Sequence, residues 1–248
     1  MSEIETSPNG ADGTETSELP RRFDPLDPAN FAPPYVLAGS AFIVVGLWGG
    51  DAPIAVPGAF SPIRLLGRQV GIIVGSSFEH PPRELPIRYH EVIAAIVVRR
   101  GLSVLSLPFD MLLDEPTPVA LGRLHYGLPK RLDPEMSFQM DASHIAANGV
   151  DTSITAHASG PAGNMLALPL RLAFTLGVRL LTRRIQVLGT ADGAPRHARI
   201  ALTPKGLGAS FPKVSAVVGG RELKAMWCQS WSFSSTLLGP PRALDDIS

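Results

Sequence analysis

Beyond position 35 the chain alternates short apolar runs with turn-forming clusters: AFIVVGLW, DAPIAVPG, VGIIVG, EVIAAIVV and LSVLSLPF follow in quick succession. Runs of this length, bounded by Gly, Pro and Asp, are read as strands. Period-two alternation recurs where Ile154, Ala156 and Ala158 interleave with Thr155 and His157, and FTLGVRLLTRRIQVLG and ARIALTP continue in the same style. The pattern predicts a mainly β domain with strands starting near Tyr35. So many strands need their edges sealed, which favours a closed antiparallel β-barrel or cone with a few short helices. One such helix is placed just after position 116. Thr117 is its expected cap, Pro118 its first residue, and Val119, Leu121 and Leu124 its apolar side. Gly127 offers a permissive exit, and Pro129 disfavours helical geometry at Leu128. Lys130 and Leu132 then open a strand and share one of its faces.

Composition narrows this picture. With 248 residues and 45% hydrophobic content the chain can bury one sizeable core, and 24 glycines with 24 prolines favour strands and turns over long helices. The first 19 residues carry five acidic groups, no basic ones and almost no large apolar side chains. Residues 1–22 are therefore expected to be a disordered acidic tail, and 23–248 a single domain with a proline-rich lead-in. The 22 basic and 22 acidic residues balance, so the chain has no electrostatic footprint for nucleic acid or an anionic membrane, and a small molecule is the expected partner. The most membrane-like window, 36–48, is too short to span as a helix and reads as buried strand. A lone cysteine, Cys228, and a polar, acidic start without a signal pattern fit a reducing, cytoplasmic setting.

The candidate chemistry centres on Lys130. If Leu132 faces a core, so does Lys130, and burial favours the neutral amine, a nucleophile for ketone carbonyls. The competing reading is a lysine in a solvated turn. The run at 122–131, GRLHYGLPKR, resembles the lysine motif of the acetoacetate decarboxylase family, approximately G-R-E-x-x-x-(F/Y)-P-K-K. The resemblance implies that Lys130 forms the Schiff base, with Arg131 where the family usually has a second lysine. In that family the lysine is activated by desolvation or by a neighbouring cation. Strand alternation turns Arg131 to the other face, which favours desolvation. The closing stretch SWSFSSTLLGPPRALDD also resembles the family's terminal strand, and the resemblance implies a homo-oligomer.

A second constellation lies in IRYHEVIAAIVV at 87–98, whose odd positions place Tyr89, Glu91, Ile93, Ala95 and Val97 on one face. Glu91 either pairs with a cross-strand arginine such as Arg123 and fixes register, or transfers protons beside the lysine. The resemblance favours the second role, since the family carries a glutamate in a Tyr-x-Glu context upstream of its lysine. Tyr89, His125 and Tyr126 flank this site, and with Arg123 and Arg131 they form the candidate substrate-binding set. There is no phosphate loop, dinucleotide fingerprint or serine elbow, and none of the six histidines falls in an HxH or HxxxH pair, so neither cofactor nor metal is expected. His80, His144 and His197 read as surface or turn residues.

The resemblance also implies an arginine on the N-terminal strand and another glutamate on the strand before Tyr-x-Glu, where this chain reads YVLAGSAF and GRQVGIIVG. Without those charges an acetoacetate carboxylate has no positioned partner. The reading becomes a Schiff-base lyase acting on a keto acid or other carbonyl metabolite, by decarboxylation or by aldol and dehydration chemistry. Apolar strands around the site suit a bulkier, less charged substrate. The alternative is a catalytically silent barrel that binds an apolar small molecule or a protein.

Overall fold

The computed structural model describes residues 35–50, 55–79, 88–158, 185–189, 196–240 and 242–243; the expected tail and proline-rich lead-in lie outside them. In chain order the elements are β1 (Tyr35–Trp48), β2 (Ser61–Pro62), β3 (Arg64–Leu65), β4 (Arg68–Glu79), β5 (Arg88–Arg100), β6 (Ser103–Leu113), α1 (Pro116–Tyr126), β7 (Lys130–Leu132) and β8 (Ser137–Met140). They continue as β9 (His144–Gly149), β10 (Thr152–His157), β11 (Ile185–Gly189), β12 (Arg196–Ser210), β13 (Lys213–Val218), β14 (Arg221–Leu238) and β15 (Arg242–Ala243). The domain is mainly β, and α1 is the single helix among the described residues.

The strands form one large sheet whose path runs β15-β12-β11-β6-β5-β4-β1-β14-β13-β10-β9-β8, and β12 pairs with β14 as well as with β11. The hydrogen-bonded path through β6, β5, β4 and β1 therefore returns to β12. Pairing is mixed where a wholly antiparallel sheet was expected: β7 and β11 both run parallel to β6. The local cause is the β6–α1–β7 unit, in which the helix carries the chain back along β6 so that β7 enters in the same direction.

Strand alternation gives the sheet two faces. On one, Phe42, Val44, Ile73, Val92, Ala94 and Ile96 are fully buried and join the main core, which also takes Ile145, Ile154 and Val218 from β9, β10 and β13. On the other, Tyr89, Met111 and Leu113 pack with Val119, Tyr126 and Leu128 of the α1 segment and with Ala198 of β12. This second face carries the candidate chemistry. It is less filled away from the helix: Ile43, Ile72, Val74 and Ile93 are only half-buried, while their chain neighbours on the core face are sealed.

Candidate active site

Helix α1 begins at Pro116, whose missing N–H costs nothing there, and its cap is Glu115, with no side-chain capping bond. The expected cap Thr117 is instead a buried helical residue whose hydroxyl donates to Glu115 Oε1 at 3.2 Å. Leu124, expected on the apolar side, is exposed, and Gly122 is buried in its stead. The exit follows expectation: Gly127 adopts the left-handed conformation at φ 60°, and its N–H donates to the Arg123 carbonyl. The chain then straightens over Leu128 and Pro129 into β7.

Lys130 pairs with Met111 at the start of β7, Met111 with Ile93, and Ile93 with Val74, so all four lie in one cross-strand row. Lys130 is 7% exposed and Glu91 4%, and Lys130 Nζ lies 3.1 Å from Glu91 Oε1. The argument from Leu132 does not account for this burial, because Leu132 is 45% exposed at the end of a three-residue strand. What covers the lysine is the helix. A Cβ on Gly122 would stand 2.5 Å from Lys130 Cε and 3.2 Å from Nζ, so the glycine leaves the channel in which the side chain lies. A glycine inside a helix costs up to about 1 kcal/mol against alanine. That cost was the one sequence signal that marked position 122 as a close approach.

The other candidates fall into two groups. Tyr89 is buried on the same face as Glu91, its ring 4.9 Å from that of Phe78. Burial, then the negative charges of Glu91 and Asp114, hold its phenol well above the usual tyrosine range. Tyr126 is buried and donates its hydroxyl to the Gly239 carbonyl at 3.0 Å, tying the helix end to the residue just past β14. His125 is half-buried at the helix end, lowered below the ordinary histidine value by desolvation and by Arg196, which donates to the carbonyls of Leu124 and His125.

The two arginines are placed elsewhere. Arg123 is exposed on α1, and Glu91 pairs with Lys130 in place of the expected cross-strand arginine. Arg131 turns to the opposite face, where it grips Asp110 through Nε at 2.6 Å and Nη2 at 2.9 Å and also donates to the Val150 carbonyl. That bidentate hydrogen bond raises its pKa further. Neither guanidinium sits beside Lys130. Of the remaining histidines, His197 is buried on β12, contrary to its reading as a surface or turn residue, and the rings of His144 and His157 lie 4.8 Å apart and tilted across β9 and β10; His80 lies outside the described residues. No cluster of three or more metal-ligating side chains occurs among the described residues.

What the sequence reading missed is the rest of Glu91's row. Its partner on β4 is Ser76, whose partner on β1 is Ala41, whose partner on β14 is Trp231. These pairings depend on register across four strands and have no local signature.

No protein-family model matches the chain, and no curated protein matches its sequence. Solved structures do. The acetoacetate decarboxylase of Legionella pneumophila subsp. pneumophila str. Philadelphia 1 superposes with a TM-score of 0.60 over 97% of this chain and 98% of its own, at 16% identity. The enduracididine biosynthesis enzyme MppR, complexed with the condensation product of pyruvate and imidazole 4-carboxaldehyde, gives 0.56 over 90% and 96%, at 12% identity. An acetoacetate decarboxylase-like enzyme from Sphingomonas wittichii RW1 gives 0.55 over 88% and 97%, at 11% identity. The chain has the acetoacetate decarboxylase-like fold.

Proposed function

We propose that the protein is a Schiff-base-forming lyase acting on a keto acid or other carbonyl metabolite, with Lys130 as nucleophile and Glu91 as proton carrier. The observation that carries this reading is the buried Lys130–Glu91 pair at 3.1 Å, on a fold shared with enzymes of carbonyl chemistry. In a site closed to water, a carboxylate in contact with an ammonium can take its proton and leave a free amine. The amine lone pair attacks the carbonyl carbon, the carbonyl oxygen takes the proton that Glu91 holds, and the cationic nitrogen returns one of its own to Glu91, which leaves a neutral carbinolamine. A second proton, delivered by Glu91, lets that oxygen leave as water and forms the iminium. Electrons from a bond at the adjacent carbon then flow into the iminium, releasing carbon dioxide, a proton or an aldehyde according to the bond broken. Glu91 returns a proton to the resulting enamine, and hydrolysis frees the lysine.

We infer further that the site face lines the inside of a closed barrel, a reading supported by the pairing of β12 with both β11 and β14. MppR supports the aldol-type branch, because that protein holds a condensation product of a keto acid and an aldehyde. The test is reductive trapping. Protein incubated with a panel of keto acids and ketones and treated with borohydride should gain the reduced adduct mass on Lys130. If no member of the panel leaves mass on Lys130, the catalytic reading fails and the binding barrel replaces it.

A further inference from the structure

The outer face of β8, β9, β10 and β13 carries a polar row that belongs to neither core. His144 on β9 is the cross-strand partner of His157 on β10, and His157 is the partner of Lys213 on β13. Asp141 completes the row, since its N–H donates to the His144 carbonyl at 2.9 Å across the β8–β9 turn. Burial alternates along these strands: Ile145, Ala147, Ile154, Ala156 and Ala216 enter the main core, which turns His144 and His157 outward. The Ala158 N–H donates to the Ser143 carbonyl at 2.8 Å. Positions 144 and 157, one step along, are therefore a pair without mutual backbone hydrogen bonds, the kind that brings facing side chains closest.

The two imidazole ring centres are 4.8 Å apart, with the ring planes tilted by 33°. With metal–nitrogen bonds of about 2.0–2.1 Å, two imidazoles on one ion, at an angle of about 90° to about 109°, hold their centres roughly 4.5–5.2 Å apart. The pair falls inside that range. Among the described residues neither ring has a hydrogen-bond partner, whereas His90 commits its Nδ1 to Asp114 at 2.6 Å. His157 is exposed and His144 half-buried, so solvent reaches both rings. At one end of the row Asp141 Oδ1 accepts from the Ser143 N–H at 2.7 Å, the Ser143 hydroxyl at 2.8 Å and the His144 N–H at 2.8 Å. Those bonds, the Ser143 N–H first, hold its carboxyl below the usual carboxylate range, which keeps a negative charge beside His144. At the other end the exposed Lys213 carries a positive charge. The two end charges oppose each other, and the imidazoles decide what the row binds.

We propose that His144 and His157 form a binding site for one divalent metal ion of the zinc, copper or nickel type, held by the two imidazoles and completed by water. Imidazole nitrogen suits these ions, whereas magnesium and calcium require oxygen ligands. The main core separates this site from the face that carries Lys130, so it takes no part in the lysine chemistry and does not rest on it. An ion there would tie β9 to β10 next to β8, the last strand of the sheet path, and brace that end of the sheet. Sequence spacing hides the site, because the two histidines come from different strands and meet only through the β9–β10 register.

The test titrates Zn²⁺ into the tag-free full chain, first stripped with a chelator and dialysed, and follows binding by calorimetry. One ion should bind per chain. His144→Gln and His157→Gln each remove one of two linked ligands and should weaken that binding on the order of 100-fold, the gain that a second tethered contact supplies. Zn²⁺ should raise the Tm of wild type and leave that of either variant unmoved at the same concentration. Acidification should release the ion, because protons compete for the same nitrogens. Mg²⁺ should give no binding. In wild type the imidazole ¹⁵N resonances of His144 and His157 should move on addition of one equivalent of Zn²⁺ and those of His90 should not, a readout that does not depend on any variant folding. Equal affinity in wild type and either variant, ring resonances of His144 and His157 that stay in place, or no binding by wild type at millimolar Zn²⁺ each overturns the site.

Discussion

Gly122→Ala separates the function of Lys130 from the stability of the fold. The added Cβ would fall 2.5 Å from Lys130 Cε, whereas ordinary van der Waals contact begins at 3.4 Å, so the lysine side chain must withdraw by about 1 Å. It can do so cheaply, because the atoms it meets belong to the far end of a flexible side chain and not to backbone. Alanine also favours the helix by about 0.5–1 kcal/mol over glycine. For a domain of this size 1 kcal/mol corresponds to roughly 2–4 °C in Tm. The variant should therefore melt within a few degrees of wild type, while Nζ no longer sits 3.1 Å from Glu91. Misplacing a reacting group by about 1 Å can cost on the order of 100-fold in rate. The assay is the rate of borohydride-trapped adduct on Lys130 at fixed ketone, set beside a thermal melt of the same preparation. Trapping at the wild-type rate would show that α1 does not confine the lysine. A Tm loss of ten degrees or more would show that the lysine cannot yield, and either result refutes the reasoning.

Further outcomes follow from the same geometry. Lys130→Met and Glu91→Gln each break a buried ion pair, and removing one partner typically costs about 3–5 kcal/mol, whereas the double variant leaves no uncompensated charge and should recover most of that in denaturant unfolding. Additive losses in the double variant would mean the two groups are not coupled. Tyr89 is raised by burial, so between the unfolded value near 10 and its higher folded value the unfolded chain holds fewer protons, and stability falls as pH rises through that window. Tyr89→Phe should flatten this alkaline loss, measured as unfolding free energy between pH 9 and 11; an unchanged slope would place the titrating group elsewhere. Cys228 is buried, its thiol pushed up to about 12, so iodoacetamide at neutral pH should alkylate it only when the protein is unfolded.

The strand pattern was legible because burial on alternating sides leaves a period-two trace: β1, β4, β5 and β6 lie where the apolar runs predict them. The stop of α1 at Gly127 and the start of β7 at Lys130 were legible for a local reason too, since Gly and Pro constrain their own backbone and that of their neighbours. Partners across the sheet were not. Glu91 has Ser76 on one side and Leu113 on the other, and nothing in the residues around 91 fixes either pairing. The inference from Leu132 failed because a three-residue strand at a sheet edge buries only the end that a helix covers. Arg131 could be assigned to the opposite face by alternation, but its partner Asp110 comes from the neighbouring strand β6. Parallel entry of β7 follows from a helix that returns the chain along β6, a property of three elements together.

The same register bears on which reaction the site favours. On the two strands where the resemblance implies an arginine and a second glutamate, the residues aligned with Glu91 are Ala41 and Ser76. Glu91 is then the one carboxylate beside Lys130 among these rows, and on the proposed mechanism proton transfers to the carbinolamine and to the enamine would pass through it in turn. A substrate carboxylate placed on Ala41 would gain no charge partner and would lose hydration, so the site offers little to hold an acetoacetate-like anion in the ground state. On the proposed mechanism the iminium at Lys130 would itself be the electron sink, acting on an adjacent C–H or C–C bond of a neutral chain. On the proposed mechanism, the small residues in Glu91's row would disfavour a small anionic substrate and leave the lysine chemistry itself intact.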